Sequence, residues 1–116
     1  MANWRFLTNH ALVLIHVSNN PRTTLREIAQ SVGITERAAL SILRAMEEEK
    51  IVSRKKEGRR NKYWVDFVAL MEYEGGGPYS VAELSEALTN IAKRLEQERK
   101  RKRKREAGDG SAGGNA

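Results

Sequence analysis

A mainly α fold with one small β-hairpin (α+β) is predicted for this chain, built around a helix-turn-helix and ending in a long helix. Three observations predict it. "TTLREIAQSVGITERAAL" holds two helix starts separated by one glycine stop. Two short β-prone runs, "IVS" and "YWV", flank a strongly basic segment around Gly58. From Val81 to Leu95, apolar residues recur at alternating spacings of three and four.

The elements follow in order. After a lead-in carrying Trp4 and Phe6, a first helix begins at Thr8 or Asn9 and ends near Ser18, burying Ala11, Leu12, Leu14 and Ile15. Thr24, with Glu27 three residues on, makes a capping box that opens a second helix, whose buried stripe is Leu25, Ile28, Ala29 and Val32. Gly33 stops it by supplying a left-handed φ. Thr35 caps a third helix reaching about Lys50, so two helices meet through a tight glycine turn. The hairpin comes next, with its turn at Arg59, Arg60 and Asn61 after Gly58, and then a short helix from Phe67 to Tyr73. "EGGGP" is a break, and Ser80 with Glu83 caps the long final helix. The layout expected is a first domain over 1–74, a glycine-rich linker over 75–79, a helix over 80–105 and a disordered tail over 106–116.

Composition narrows the function classes. The chain has 116 residues, enough for one domain and short for two. With 21 lysines and arginines against 15 acids, its formal charge of +6 favours polyanionic partners. The absence of cysteine removes disulfides, thiolate metal sites and a cysteine nucleophile. His10 and His16, six apart on one helix, are a poor ligand pair and read as structural or surface residues, so no metal or cofactor is expected. The longest apolar run, Ala11 to Ile15, is far short of the roughly 20 residues that span a bilayer. No secretory signal is visible, and a cytoplasmic, nucleoid-associated protein with no membrane role is expected. With no phosphate loop, nucleophile elbow or convergent carboxylate pair, an enzyme is not expected.

Helix 3 offers chemistry. If Ala39, Ile42, Leu43 and Met46 face the core, 100° per residue puts Arg37, Ser41 and Arg44 opposite, with Leu40 on the flank. An arginine in the major groove can bond guanine O6 and N7, and a leucine can touch a thymine methyl. Thr35 and Glu36 stand at the helix start, whose free N–H groups suit a backbone phosphate. Ordinary solvent-facing residues would show the same pattern, so the helix alone decides nothing.

"RTTLREIAQSVGITERAALSILRAMEEEKIVSRKKEGRRNKYWV" resembles the winged helix-turn-helix domain of bacterial and archaeal transcriptional regulators of the MarR/ArsR type, over roughly Phe6 to Asp66. The resemblance implies a recognition helix over about 35–49 in the major groove of double-stranded DNA, and a basic wing over about 52–65 on the backbone or minor groove. It also implies Arg59, Arg60 and Asn61 as wing-tip contacts. It departs from metal-sensing ArsR proteins in lacking cysteine, and there is no room for the extra N-terminal helix of longer MarR proteins, so ligand sensing is not carried over.

The wing's charge fits that reading. Arg54, Lys55, Lys56, Arg59, Arg60 and Lys62, less Glu57, leave +5 within residues 52–62. A solvated hairpin guarding a sheet edge with lysines is the bland alternative. Arg54, Lys56 and Lys62 join the candidate DNA contacts. On the last helix, Val81, Leu84, Leu88, Ile91 and Leu95 form an a/d stripe of about two heptads, read as a homodimer seam, or else packed back on its own domain. The seven cations Arg99 to Arg105 add phosphate affinity or form a solvated end. The reading is a sequence-specific transcriptional regulator, a repressor by occlusion, with any effector unknown. A protein–protein interaction module and a non-specific, chromatin-like DNA binder are the alternatives.

Overall fold

Threonine makes each of the first three helix starts. Thr8, Thr24 and Thr35 hold extended backbone, and their hydroxyls accept from the N–H groups of Ala11, Glu27 and Ala38 at 3.2, 3.1 and 3.0 Å. Each bond satisfies a donor that a helix start leaves open. They open α1 (Asn9–Asn19), α2 (Leu25–Val32) and α3 (Glu36–Glu48). The computed structural model describes residues 3–115, with side chains through residue 108. It forms two units that divide between Met71 and Glu72.

The helix stops differ in kind. Gly33 ends α2 with φ +82°, as the sequence predicts. α3 ends two residues before Lys50, and Lys50 itself takes the left-handed conformation, at φ +60°. Its N–H donates to Glu47 O at 2.9 Å, and the Ile51 N–H reaches back to Met46 O at 3.0 Å. That is a Schellman closure, completed by the buried side chains of Met46 and Ile51. Apolar contact holds a lysine where glycine is the usual occupant.

Three strands follow from the hairpin and one short addition. β1 (Arg22–Thr23), β2 (Val52–Glu57) and β3 (Arg60–Val65) form an antiparallel sheet in the order β1-β3-β2. A two-residue strand carries no periodicity, so β1 is absent from the sequence reading. Glu57 pairs with Arg60, which leaves Gly58 and Arg59 as the turn. Positive φ falls on Gly58, at +62°, the pattern of a type II′ hairpin. Arg60 and Asn61, expected in the turn, therefore lie in β3, because a two-residue loop suits the right-handed twist of the paired strands.

The core of the first unit joins α1, α2, α3 and the base of the hairpin. Ala39, Ile42, Leu43 and Met46 of α3 are buried as expected, with Ile28 and Ala29 of α2 and Tyr63 of β3. Helix α1 differs. Its buried residues are Val13 and Val17, while Ile15 is 46% exposed. The run "ALVLI" is apolar on every side, so composition could not choose the face that meets α2 and α3. α4 (Phe67–Glu72) closes the unit, with Asp66 Oδ1 accepting from the Ala69 N–H at 3.0 Å.

In the second unit, Gly75 and Gly76 turn the chain at φ +63° and +80°. Ser80 and Glu83 form the expected reciprocal box: Ser80 N–H donates to Glu83 Oε1 at 2.9 Å, and Glu83 N–H to Ser80 Oγ at 3.4 Å. They open α5 (Val81–Asn115). Helical geometry continues past Arg105, where a disordered tail over 106–116 is expected. No proline falls in 81–115, so no backbone donor is missing to break the ladder. Residues 1 and 2 of the expected first domain, and residue 116 of the expected tail, lie outside the described residues.

Candidate nucleic-acid interface

The burial of one face of α3 dictates the other. Arg37, Ser41 and Arg44 are exposed and Leu40 half-buried, and with Ala45 and Glu48 they line one shallow depression along the helix. Polar and apolar groups thus share one strip that an α-helix could present to a groove. Thr35 engages its hydroxyl in its own cap, so what it offers a phosphate is the helix start behind it. Glu36 is exposed in the first turn.

The wing cations divide into two groups. Arg54 pairs with Glu47 of α3 at 3.2 Å, and Arg60 donates to Glu27 of α2 at 2.7 Å. Arg22 of β1 pairs with Glu57 at 3.4 Å. These pairs fasten the hairpin to α3, α2 and β1. By contrast, Lys55, Lys56 and Arg59, with Arg37 and Arg44, form no ion pair among the described residues. Lys62 lies over the exposed Trp64 ring at 5.1 Å and faces Lys55 across the strands. Like charges directly opposite repel, and a bound polyanion relieves them. Asn61 is turned inward, donating to the Tyr63 hydroxyl at 3.3 Å.

Residues 9–53 match a family model described as winged helix-turn-helix DNA-binding. The chain carries a winged helix-turn-helix domain. No curated protein matches the chain. Among solved structures, it is similar to MepR, a transcription regulator of the Staphylococcus aureus multidrug efflux pump MepA. Identity there is 22% and the TM-score 0.46, over 77% of this chain. The chain spans 58% of the length of that protein.

Within the winged helix, two groups of residues escaped the sequence reading. Lys55, counted there only in the charge, is one of the free wing cations. The other group is a hydrogen-bonded chain beneath the wing. Thr23, the one fully buried polar residue among those described, donates its hydroxyl to Glu27 Oε2 at 3.0 Å. A hydroxyl has one proton, so the 3.1 Å contact from His16 Nε2 to the same oxygen has the imidazole as donor. Glu27 Oε1 then accepts from Arg60. α1, β1, α2 and β3 of the winged helix are thereby joined through four side chains, of which Arg60 alone is distant in sequence. Glu27 N–H donates to Thr24 Oγ1 and the Thr24 backbone N–H supports the Glu27 carboxylate in return, so the expected box stands beside the bonds to Thr23 and Arg60.

This bonding sets a pH dependence. The Thr23 hydroxyl, and after it the Arg60 guanidinium, hold the Glu27 carboxyl below its ordinary value of 4.5. A depressed folded pKa contributes stability that is present above 4.5 and lost as pH falls through the folded value. Glu27→Gln is therefore expected to flatten the decline of the thermal midpoint below pH 4.5 relative to the parent. Parallel curves for the two proteins would show that the carboxylate contributes nothing.

Proposed function

We propose that this chain is a DNA-binding transcription regulator that reads duplex DNA with α3 and grips its backbone with the wing. The observation that carries it is a set of cations, without ion pairs among the described residues, on two elements that pack together, α3 and the hairpin. Arg37 and Arg44 stand on the one exposed face of α3, and Lys55, Lys56 and Arg59 stand on the hairpin that the Arg54–Glu47 pair fastens to that same helix. In this reading, the α3 side chains meet base edges, and the wing cations meet phosphates that set register and orientation. The finer reading is a repressor acting by occlusion, working in the cytoplasm on nucleoid DNA as a homodimer through Val81, Leu84, Leu88, Ile91 and Leu95.

The test is equilibrium binding of the intact chain to a pool of random duplexes across a salt series, followed by selection from the pool. A steep negative slope of log K against log salt, with enrichment of one sequence, is the expected result. A steep slope without enrichment points to non-specific coverage of DNA. Absence of binding at low salt overturns the reading and leaves the basic face to a protein partner.

A further inference from the structure

The apolar stripe of α5 is uncovered in the single chain. Leu84, Leu88, Ile91 and Leu95 are 53%, 49%, 60% and 50% exposed. With Val81 at position a of a heptad, these four fall at d, a, d and a, and Glu98 takes the next d. Ser85, Ala87 and Ala92 occupy the e and g flanks around the middle, where small side chains allow close approach of another helix.

We propose that this face is covered by α5 of a second copy of the chain, running antiparallel. The inference rests on the self-association in the proposed function and specifies its direction. Charge decides between the two directions. A parallel pair stacks Glu98 on Glu98 at a core position and sets Arg94, at g, against Arg99, at the following e. It also brings Arg99 to Arg105 alongside the same seven cations of the other copy. Packed helix axes lie about 8–10 Å apart. That is about one Debye length at physiological salt, so the repulsion is only partly screened.

The antiparallel pair removes each conflict. With Leu84 facing Leu95 of the second copy and Leu88 facing Ile91, all four exposed apolar residues are covered in four layers. Arg94 then lies against Ala87, and Glu83 on the same flank falls between Arg94 and Arg101 of the second copy. Glu98 stands beside Val81 rather than its own image, with its charge met by Arg101 of its own helix at 3.2 Å. The two basic runs move to opposite ends of the pair, their centres about 37 Å apart at 1.5 Å per residue. Several Debye lengths then separate them.

Because the chain has no cysteine, single introduced thiols report the direction without background. Lys100 is at the outward f position, so a nitroxide on Lys100→Cys leaves the seam intact. In the full chain without DNA, the axial offset of about 30 Å and the width of the pair together put the two labels about 35–40 Å apart in the antiparallel dimer, against about 15–25 Å in a parallel one. Disulfide formation in Leu84→Cys and Leu95→Cys proteins, alone and mixed, gives a second reading. Sedimentation of the parent chain establishes whether it associates at all. A dimer with labels about 35–40 Å apart, and a disulfide formed only in the mixture, supports the proposal. A dimer with short label distances, and a disulfide in Leu84→Cys alone, overturns the direction and leaves dimerisation standing. A monomeric parent chain overturns both.

Discussion

Replacing Lys55, Lys56 and Arg59 together by alanine is expected to reduce the slope of log K against log salt by about 2.7 units, because each phosphate that a cation neutralises adds about 0.9 to it. If the parent and variant lines meet near 1 M salt, they separate by about 10²–10³-fold in affinity at 0.1 M. These side chains are exposed and form no ion pair among the described residues, so the thermal midpoint should stay close to the parent's. Arg60→Ala is the contrasting case. Its guanidinium already neutralises Glu27, and its removal should move the slope by well under the value of about 0.9 for one phosphate contact while lowering stability modestly, as exposed pairs do. An unchanged slope in the triple variant would mean that the wing does not meet phosphates.

Leu43→Ala is expected to destabilise the first unit by about 2–5 kcal/mol, because Leu43 is fully buried at the centre of α3 and its neighbours cannot wholly collapse into the space. A domain of this size has a total stability of only about 4–10 kcal/mol. Each kcal/mol moves the midpoint of such a domain by about 4–8 °C, so a drop of about 8–40 °C should be read in a thermal scan. DNA binding should fall with the folded fraction and recover on cooling. Ile15→Ala, on the exposed side of α1, should stay within about 0.5 kcal/mol of the parent. A large destabilisation at Ile15 would contradict the burial of α1 through Val13 and Val17.

Signals that act over three or four residues were the legible ones. Thr8, Thr24, Thr35 and Ser80 cap helices because a hydroxyl placed three residues before an open N–H has one natural partner. The core face of α3 was readable because polar residues interrupt it at helical spacing. The face of α1 was not, since nothing polar divides Ala11 from Ile15. Among the candidate DNA-binding residues, sequence marked every wing cation alike. What separates Arg54 and Arg60 from Lys56 and Arg59 is a carboxylate brought near by folding, and Glu27 is 33 residues from Arg60. β1 and the buried Thr23 escaped for a related reason: two residues have no period, and their partners lie on three other elements.

The start and finish of the hairpin are tied together at its base. Ile51, the residue that closes the α3 stop, also accepts from the Asp66 N–H at 2.8 Å, and Val52 pairs with Val65 just beyond. The buried side chains that root the hairpin in the core, Ile51, Val52 and Tyr63, lie at or near this closed base, and the tip contributes no buried residue. The wing is therefore a module of adjustable reach. Adding two residues to each strand near the tip preserves which side chains face inward and advances the turn by about 7 Å, leaving the core unaltered. Selection can in this way retune how far along a duplex the protein holds on, without renegotiating how it folds.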